Sequence, residues 1–185
     1  MRRGFKAEAE RTASQLRRKI GQTQSEQLDL RALASELGAE LRAADELVAV
    51  DKLRRLDRTQ PGAFSACTFT IGERHVVVYS PLSSDGRRNS DVAHELAHLV
   101  LEHEVKVVHK VGGLNFFSCD PEEEQEANWL AGCLLLPRSL LVAAVRRGKT
   151  AAEIAEEYEV SEQMAAFRLR TTGVLRQVAA SRSRG

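Results

Sequence analysis

Apolar positions in the first third of the chain recur at helical spacing. Phe5, Ala9, Ala13, Leu16 and Ile20 lie on one charged segment; Leu30, Leu33, Ala34 and Leu37 lie on a second. Residues three and four apart share a helix face, so each segment predicts a helix with one buried stripe. Asp29 is placed to cap the second helix and Gly38 to stop it. A weaker pattern predicts a third helix over residues 45–56. Pro61-Gly62 then breaks the chain, and residues 64–71 and 75–80 read as a hairpin, their β-branched and aromatic residues flanking Gly72-Glu73-Arg74. Residues 81–89 predict a polar loop and 90–103 a helix; 105–118, with Gly112-Gly113 between apolar runs, predicts a second hairpin. Asp120, Pro121 and Glu123 announce a helix with a capping box, which ends before Pro137. Short helices follow over 139–147, 150–158 and 161–172, and the tail after Val178 is expected to fray.

Helices around short hairpins predict an α+β fold with a small antiparallel sheet. The expected division is an N-terminal helical region (1–60), a core (61–137) and a C-terminal helical region (138–185), packed as a single unit. A chain of 185 residues suits one such domain. Its 27 Lys+Arg against 26 Asp+Glu supply no global attraction to nucleic acid or to an anionic membrane. No run approaches the roughly 20 apolar residues of a membrane span, and the charged start does not read as a signal peptide. Cys67, Cys119 and Cys133, odd in number and scattered, fit reduced thiols, so a cytoplasmic location is expected.

The chemistry concentrates in His94-Glu95-Leu96-Ala97-His98. Two histidines four apart on a helix can reach one metal ion, and Glu95, pointing about 100° around the axis, flanks that ion as a base would. A zinc site needs a third protein ligand. His103 is poorly placed for this, five residues past His98 with no glycine to turn the chain back. The acidic opening of the next helix is the better source. Glu124 shares a face with Ala127, Asn128, Ala131 and Leu135, whereas Glu122 and Glu126 fall on the opposite, solvated side and Glu123 is taken by the capping box. Asn128, one turn on, is placed to accept the free N–H of a ligating histidine. Trp129 reads as core or cleft wall.

Together with Glu124-Gln125-Glu126-Ala127-Asn128-Trp129-Leu130-Ala131 and Leu134-Leu135-Leu136-Pro137, the pentapeptide resembles the ImmA/IrrE family of metallopeptidases, distant relatives of the gluzincins. The resemblance runs from about Phe64 to Pro137. It implies a zincin-like core, one Zn2+ per chain held by His94, His98 and Glu124 (with Mn2+ or Fe2+ as alternatives), and Glu95 as the catalytic base in peptide-bond hydrolysis. It further implies a protein substrate, typically a helix-turn-helix repressor whose cleavage derepresses stress or mobile-element genes. One departure is Arg87-Arg88-Asn89-Ser90-Asp91, where family members often carry an Arg-x-Arg-Phe-Thr-like run.

A donor to the oxyanion is also needed, and by residue type the candidates are Tyr79, His75, Arg88 and His109. If the strand over 75–80 is at a sheet edge, it could align an extended substrate. Ala155, Val160-Ser161, Met164 and Phe167 give residues 155–169 a faint helix-turn-helix look. Glu159 occupies the turn position that favours glycine, and Glu156, Glu157 and Glu162 oppose phosphate contact. Direct DNA binding is therefore the weaker expectation. The competing functional reading is a non-catalytic regulator that binds DNA or a protein through these helices, with a structural metal.

Overall fold

The computed structural model describes residues 1–72, 74–103, 106–111, 114–118 and 120–183, the two strands between 106 and 118 by their backbone; Cys119 lies outside the described residues. The elements run α1 (Phe5–Lys19), α2 (Leu30–Glu36), β1 (Ala39–Ala43), a 3-10 turn (Ala44–Glu46), α3 (Val50–Thr59), β2 (Ala66–Ile71), β3 (Arg74–Tyr79), α4 (Asp85–Val100), β4 (Lys106–Val111), β5 (Leu114–Ser118), α5 (Pro121–Leu135), α6 (Arg138–Arg146), α7 (Ala151–Glu157), α8 (Glu162–Thr172) and α9 (Val174–Arg182). The fold is α+β and mostly helical.

The sheet is mixed rather than antiparallel. Its order is β1-β3-β2, with β1 parallel to β3 and β2 antiparallel to it. Residues 75–80 thus supply the covered central strand, and β2 lies at an edge. β4 and β5 pair separately as the expected second hairpin. Two further expectations are corrected. Residues 85–89 are helical, because Ser84 caps α4 and the Arg87–Asp91 and Arg88–Asp85 pairs (2.9 and 2.8 Å) make its first turns a solvated helix. The chain after Val178 continues as α9, its Val178 side chain buried.

Helix α5 lies at the centre. Asp120 Oδ1 accepts the Glu122 N–H (2.8 Å) and Pro121 occupies the first position, as expected, but Glu123 does not close a capping box. From Glu126 onward only Asn128 on this helix is exposed, and Ala127, Leu130, Ala131 and Leu134 are fully buried. Glu126 is buried too, contrary to its expected solvated position, because the N-terminal segment covers it and the Arg2 N–H bonds its Oε1 at 3.0 Å.

A buried helix leaves its last carbonyls without partners unless side chains reach them. Two arginines with no exposed surface do so here. Arg17 from α1 donates to the Leu134 carbonyl (Nε, 2.8 Å) and the Leu135 carbonyl (Nη2, 3.3 Å). Its Nη1 ties in the loop carbonyls of Thr23 and Glu26 (2.9 and 3.0 Å). Burial pushes this guanidinium down to about 10, still a cation at neutral pH. Arg168 from α8 donates to the Leu136 carbonyl through Nε and Nη2 (3.1 and 3.0 Å) and to Glu10 Oε1 (2.6 Å). Positive charge at a helix C-terminus also opposes the macrodipole favourably. Elements from both ends of the chain are thereby fastened to α5, and most of the buried apolar side chains, from Phe5 to Val178, form one cluster.

Among the described residues no single helix is long and apolar enough to cross a membrane; α5 and α6 reach that length only as a pair bent by 58°.

Gly132 is where α5 makes room for Arg168: a Cβ there would meet Arg168 Cδ at 2.5 Å and Met164 Sδ at 3.2 Å. In an open helix Gly→Ala gains about 1 kcal/mol. Here Gly132→Ala is expected to lower stability by about 1–3 kcal/mol in urea unfolding, since displacing Arg168 leaves buried carbonyls and Glu10 without their partner. A stabilised variant would contradict this account of α5.

Candidate metal centre

The pentapeptide falls in the last two turns of α4, where Ala93, Leu96 and Ala97 are fully buried. Helix α5 packs against this surface, and small residues on both helices (Ala93 and Ala97, Ala127 and Ala131) let their backbones approach. The first turn of α5 then brings Glu124 over the two rings. His94 Nε2 and His98 Nε2 are 3.0 Å apart, Glu124 Oε2 is 3.2 Å from the first and Oε1 is 3.3 Å from the second. The three side chains form a group whose ligand atoms all lie within 4.8 Å of one another.

These distances can be compared with what a metal requires. Donors about 2.0–2.1 Å from a tetrahedral ion stand roughly 3.3 Å apart along each edge. The two Nε2 atoms stand close to one such edge apart (3.0 Å), and Glu124 offers a different carboxylate oxygen to each ring, Oε2 to His94 at 3.2 Å and Oε1 to His98 at 3.3 Å. Two imidazole nitrogens and one carboxylate suit a borderline divalent cation. The residues fit a metal.

Burial holds His98 neutral, pushing its imidazole down to about 4, with the neighbouring His94 adding to the shift and Glu124 opposing it. A neutral ring is the ligating form. Its other nitrogen, Nδ1, lies 3.0 Å from His103 Nδ1. A His98 that offers Nε2 to a cation carries its proton on Nδ1, and His103 is then the acceptor that fixes the ring. The chain returns His103 to this place without a glycine: Glu102 takes a left-handed φ of 54°, and the His103 N–H donates to the His98 carbonyl (3.1 Å).

Glu95 points to the sheet side of the cluster, where Thr68 Oγ1 on β2 donates to its Oε2 at 2.7 Å. Asn128 lies on the expected face of α5, where its Nδ2 donates to the Glu124 carbonyl (2.9 Å). His103 stands against the second ring nitrogen of His98, a place expected of Asn128. Of the oxyanion candidates, Tyr79, Arg88 and His75 do not converge on the cluster. Tyr79 and Arg88 stack on each other (5.8 Å) beside Leu41 and Val92, since Arg88 is six residues before His94 and faces a third of a turn away. His75 Nδ1 pairs with Thr70 Oγ1 (3.1 Å) on the exposed hairpin. The backbone of His109 is in β4 and its side chain lies outside the described residues.

The cluster opens into a cleft of about 740 Å³ between α4, α5 and α8. Its walls include Asp91, Trp129 and Phe167; burial raises the Asp91 carboxyl above its ordinary range, against the pull of Arg87. Thr68, His103 and the α8 wall carry no motif in the sequence, because each reaches the site only through tertiary packing.

An unfolded chain takes up the His98 proton near pH 6.5, the folded chain only near 4, so acid favours unfolding across that interval. With metal chelated, the urea midpoint is expected to fall between pH 6.5 and about 5, and His98→Gln to reduce that fall. A midpoint that stays level in the unsubstituted chain would contradict a histidine held neutral by burial.

The Peptidase_M78 family, described as the IrrE N-terminal-like domain, matches residues 34–170. No curated protein matches the chain. The match begins within α2 and ends within α8, taking in the sheet, the helices that carry His94, His98 and Glu124, and the cleft wall. The chain belongs to this metallopeptidase family.

Proposed function

We propose that the protein is a zinc-dependent endopeptidase with a zincin-like core, His94, His98 and Glu124 being the zinc ligands and Glu95 the catalytic base. The observation that supports this best is the convergence of His94, His98 and Glu124, with Glu95 next to His94 on α4 and its carboxylate restrained by Thr68. When bound, zinc supplies Lewis-acid polarisation of a carbonyl and acidifies water to a pKa of about 7. Glu95 takes the proton from the attacking water and hands it to the departing amine. Thr68 is a positioning residue: its hydroxyl leaves one carboxylate oxygen of Glu95 to turn toward the reacting water. The free side of β2 begins beside the cleft at Ser65, so an extended substrate aligned by strand addition would lie on β2 rather than on β3.

The substrate we infer is a helix-turn-helix transcriptional repressor, cut at one site to derepress stress or mobile-element genes, with the reaction taking place in the cytoplasm. The helical pair α7–α8 favours a second reading, a regulator that binds DNA or a protein partner around a structural metal. Glu95→Gln separates the two. It is expected to lower cleavage of a candidate repressor by about 10²–10⁴-fold while one metal per chain and the fold persist. Thr68→Val is expected to lose activity by about tenfold with the metal retained. Undiminished cleavage by Glu95→Gln, on gels or by mass spectrometry, would contradict the catalytic assignment.

A further inference from the structure

Helices α7 and α8 meet at a short turn in which Glu159 takes a left-handed φ of 46° without being glycine. The turn is held by contacts from outside the pair. Asn89 Nδ2 on α4 donates to the Glu159 carbonyl (2.9 Å), Gln27 Nε2 donates to its carboxylate (2.8 Å), and Ser90 Oγ accepts the Ser161 N–H (2.8 Å). A Cβ on Gly86 would meet the Val160 carbonyl oxygen at 2.4 Å, so α4 and the turn touch backbone to backbone. The helix that carries both histidines therefore sets the direction in which α8 leaves the turn.

In a DNA reader the second helix of such a pair offers its outer face to the major groove. Here Gln163, Phe167 and Arg170 of that helix line the cleft that contains His94 and Glu124. Phe167 meets Trp129 edge to face at 5.7 Å, and Met164 lies beside them, giving the wall an apolar surface with one adaptable side chain. Arg87 on the opposite wall is already paired with Asp91 (2.9 Å) and Gln163 (3.4 Å). Arg170 is exposed and has no ion-pair partner among the described residues.

We propose that α8 is the specificity wall of the cleft: a substrate segment beside the metal cluster lays a large apolar side chain against Phe167 and Met164 and pairs an acidic side chain with Arg170. This deepens the proteolytic reading and rests on it for the nature of the occupant. From Gln163 to Arg170 the helix rises about 10 Å, the span of roughly three residues of extended chain. The apolar and acidic residues of the substrate therefore lie within about three positions of each other.

The test uses the full chain, zinc-loaded and carrying Glu95→Gln, so that bound peptides are not consumed. A synthetic peptide library randomised at every position is selected for binding. It is selected again on the same chain with Arg170→Glu, and with Arg170→Gln as the milder exposed change. The expected result is enrichment of a large apolar residue near Asp or Glu, about tenfold weaker binding of those peptides after Arg170→Glu, and selection of Lys or Arg in their place. Arg170→Gln should abolish the charge preference without reversing it. The same acidic preference in all three proteins, or no peptide bound at all, overturns the proposal. So does duplex DNA binding that depends on Arg170 in place of peptide binding. Cleavage of the selected peptides by the unsubstituted chain is scored separately: Arg170-dependent binding without cleavage would contradict the proteolytic reading and leave the wall standing.

Discussion

The Arg17 and Arg168 guanidinium groups, both without exposed surface, hold the C-terminal carbonyls of α5. Each charge is costly to bury, and each is offset by four hydrogen bonds, those of Arg17 to carbonyls and those of Arg168 to a carbonyl, a thiol and Glu10. The bonds run from the first and the eighth helix to the same end of one buried helix. That end is therefore closed to water, and α5 is fixed along its axis as well as across it. Glu124 sits at the other end, so its reach toward α4 is set by an anchor three turns away. The peripheral helices are in this sense part of the site.

The site itself is a balance between burial and approach. Packing α4 on α5 removes water from His98 and keeps its ring neutral, the form that can donate a lone pair. The same packing brings a carboxylate within 3.3 Å of that nitrogen. His94, His98 and Glu124 would hold a divalent ion, and its charge would offset that of the Glu124 carboxylate. His103 and Thr68 complete the arrangement from opposite sides, one through the ring of a ligand and the other through the carboxylate of Glu95.

Much of this was legible in the sequence where periodicity carried the information. The four-residue spacing of His94 and His98, and the helical face shared by Glu124, Ala127 and Ala131, specify a shared site because a helix fixes angles between side chains. Where tertiary partners decide, the sequence misleads. Ala39–Ala43 consists of good helix formers and becomes a strand only because β3 lies beside it. Glu126 looks solvated on its helix and is covered by the N-terminal segment. His103 reads as poorly placed for a ligand, with no glycine to turn the chain back; Glu102 makes the turn and sets it against His98. Asn128 has the expected face, and one of its amide N–H groups is taken by the Glu124 carbonyl of its own helix.

On the proposed reading two rings and one carboxylate converge on a single divalent ion with a position left for water, and titration with cobalt(II), followed by visible absorption, probes that convergence. One equivalent per chain with the intense d–d bands of a four-coordinate ion, weakened or lost in Glu124→Ala, is the result this account predicts. A weak six-coordinate spectrum, or binding that is indifferent to removal of Glu124, would contradict it.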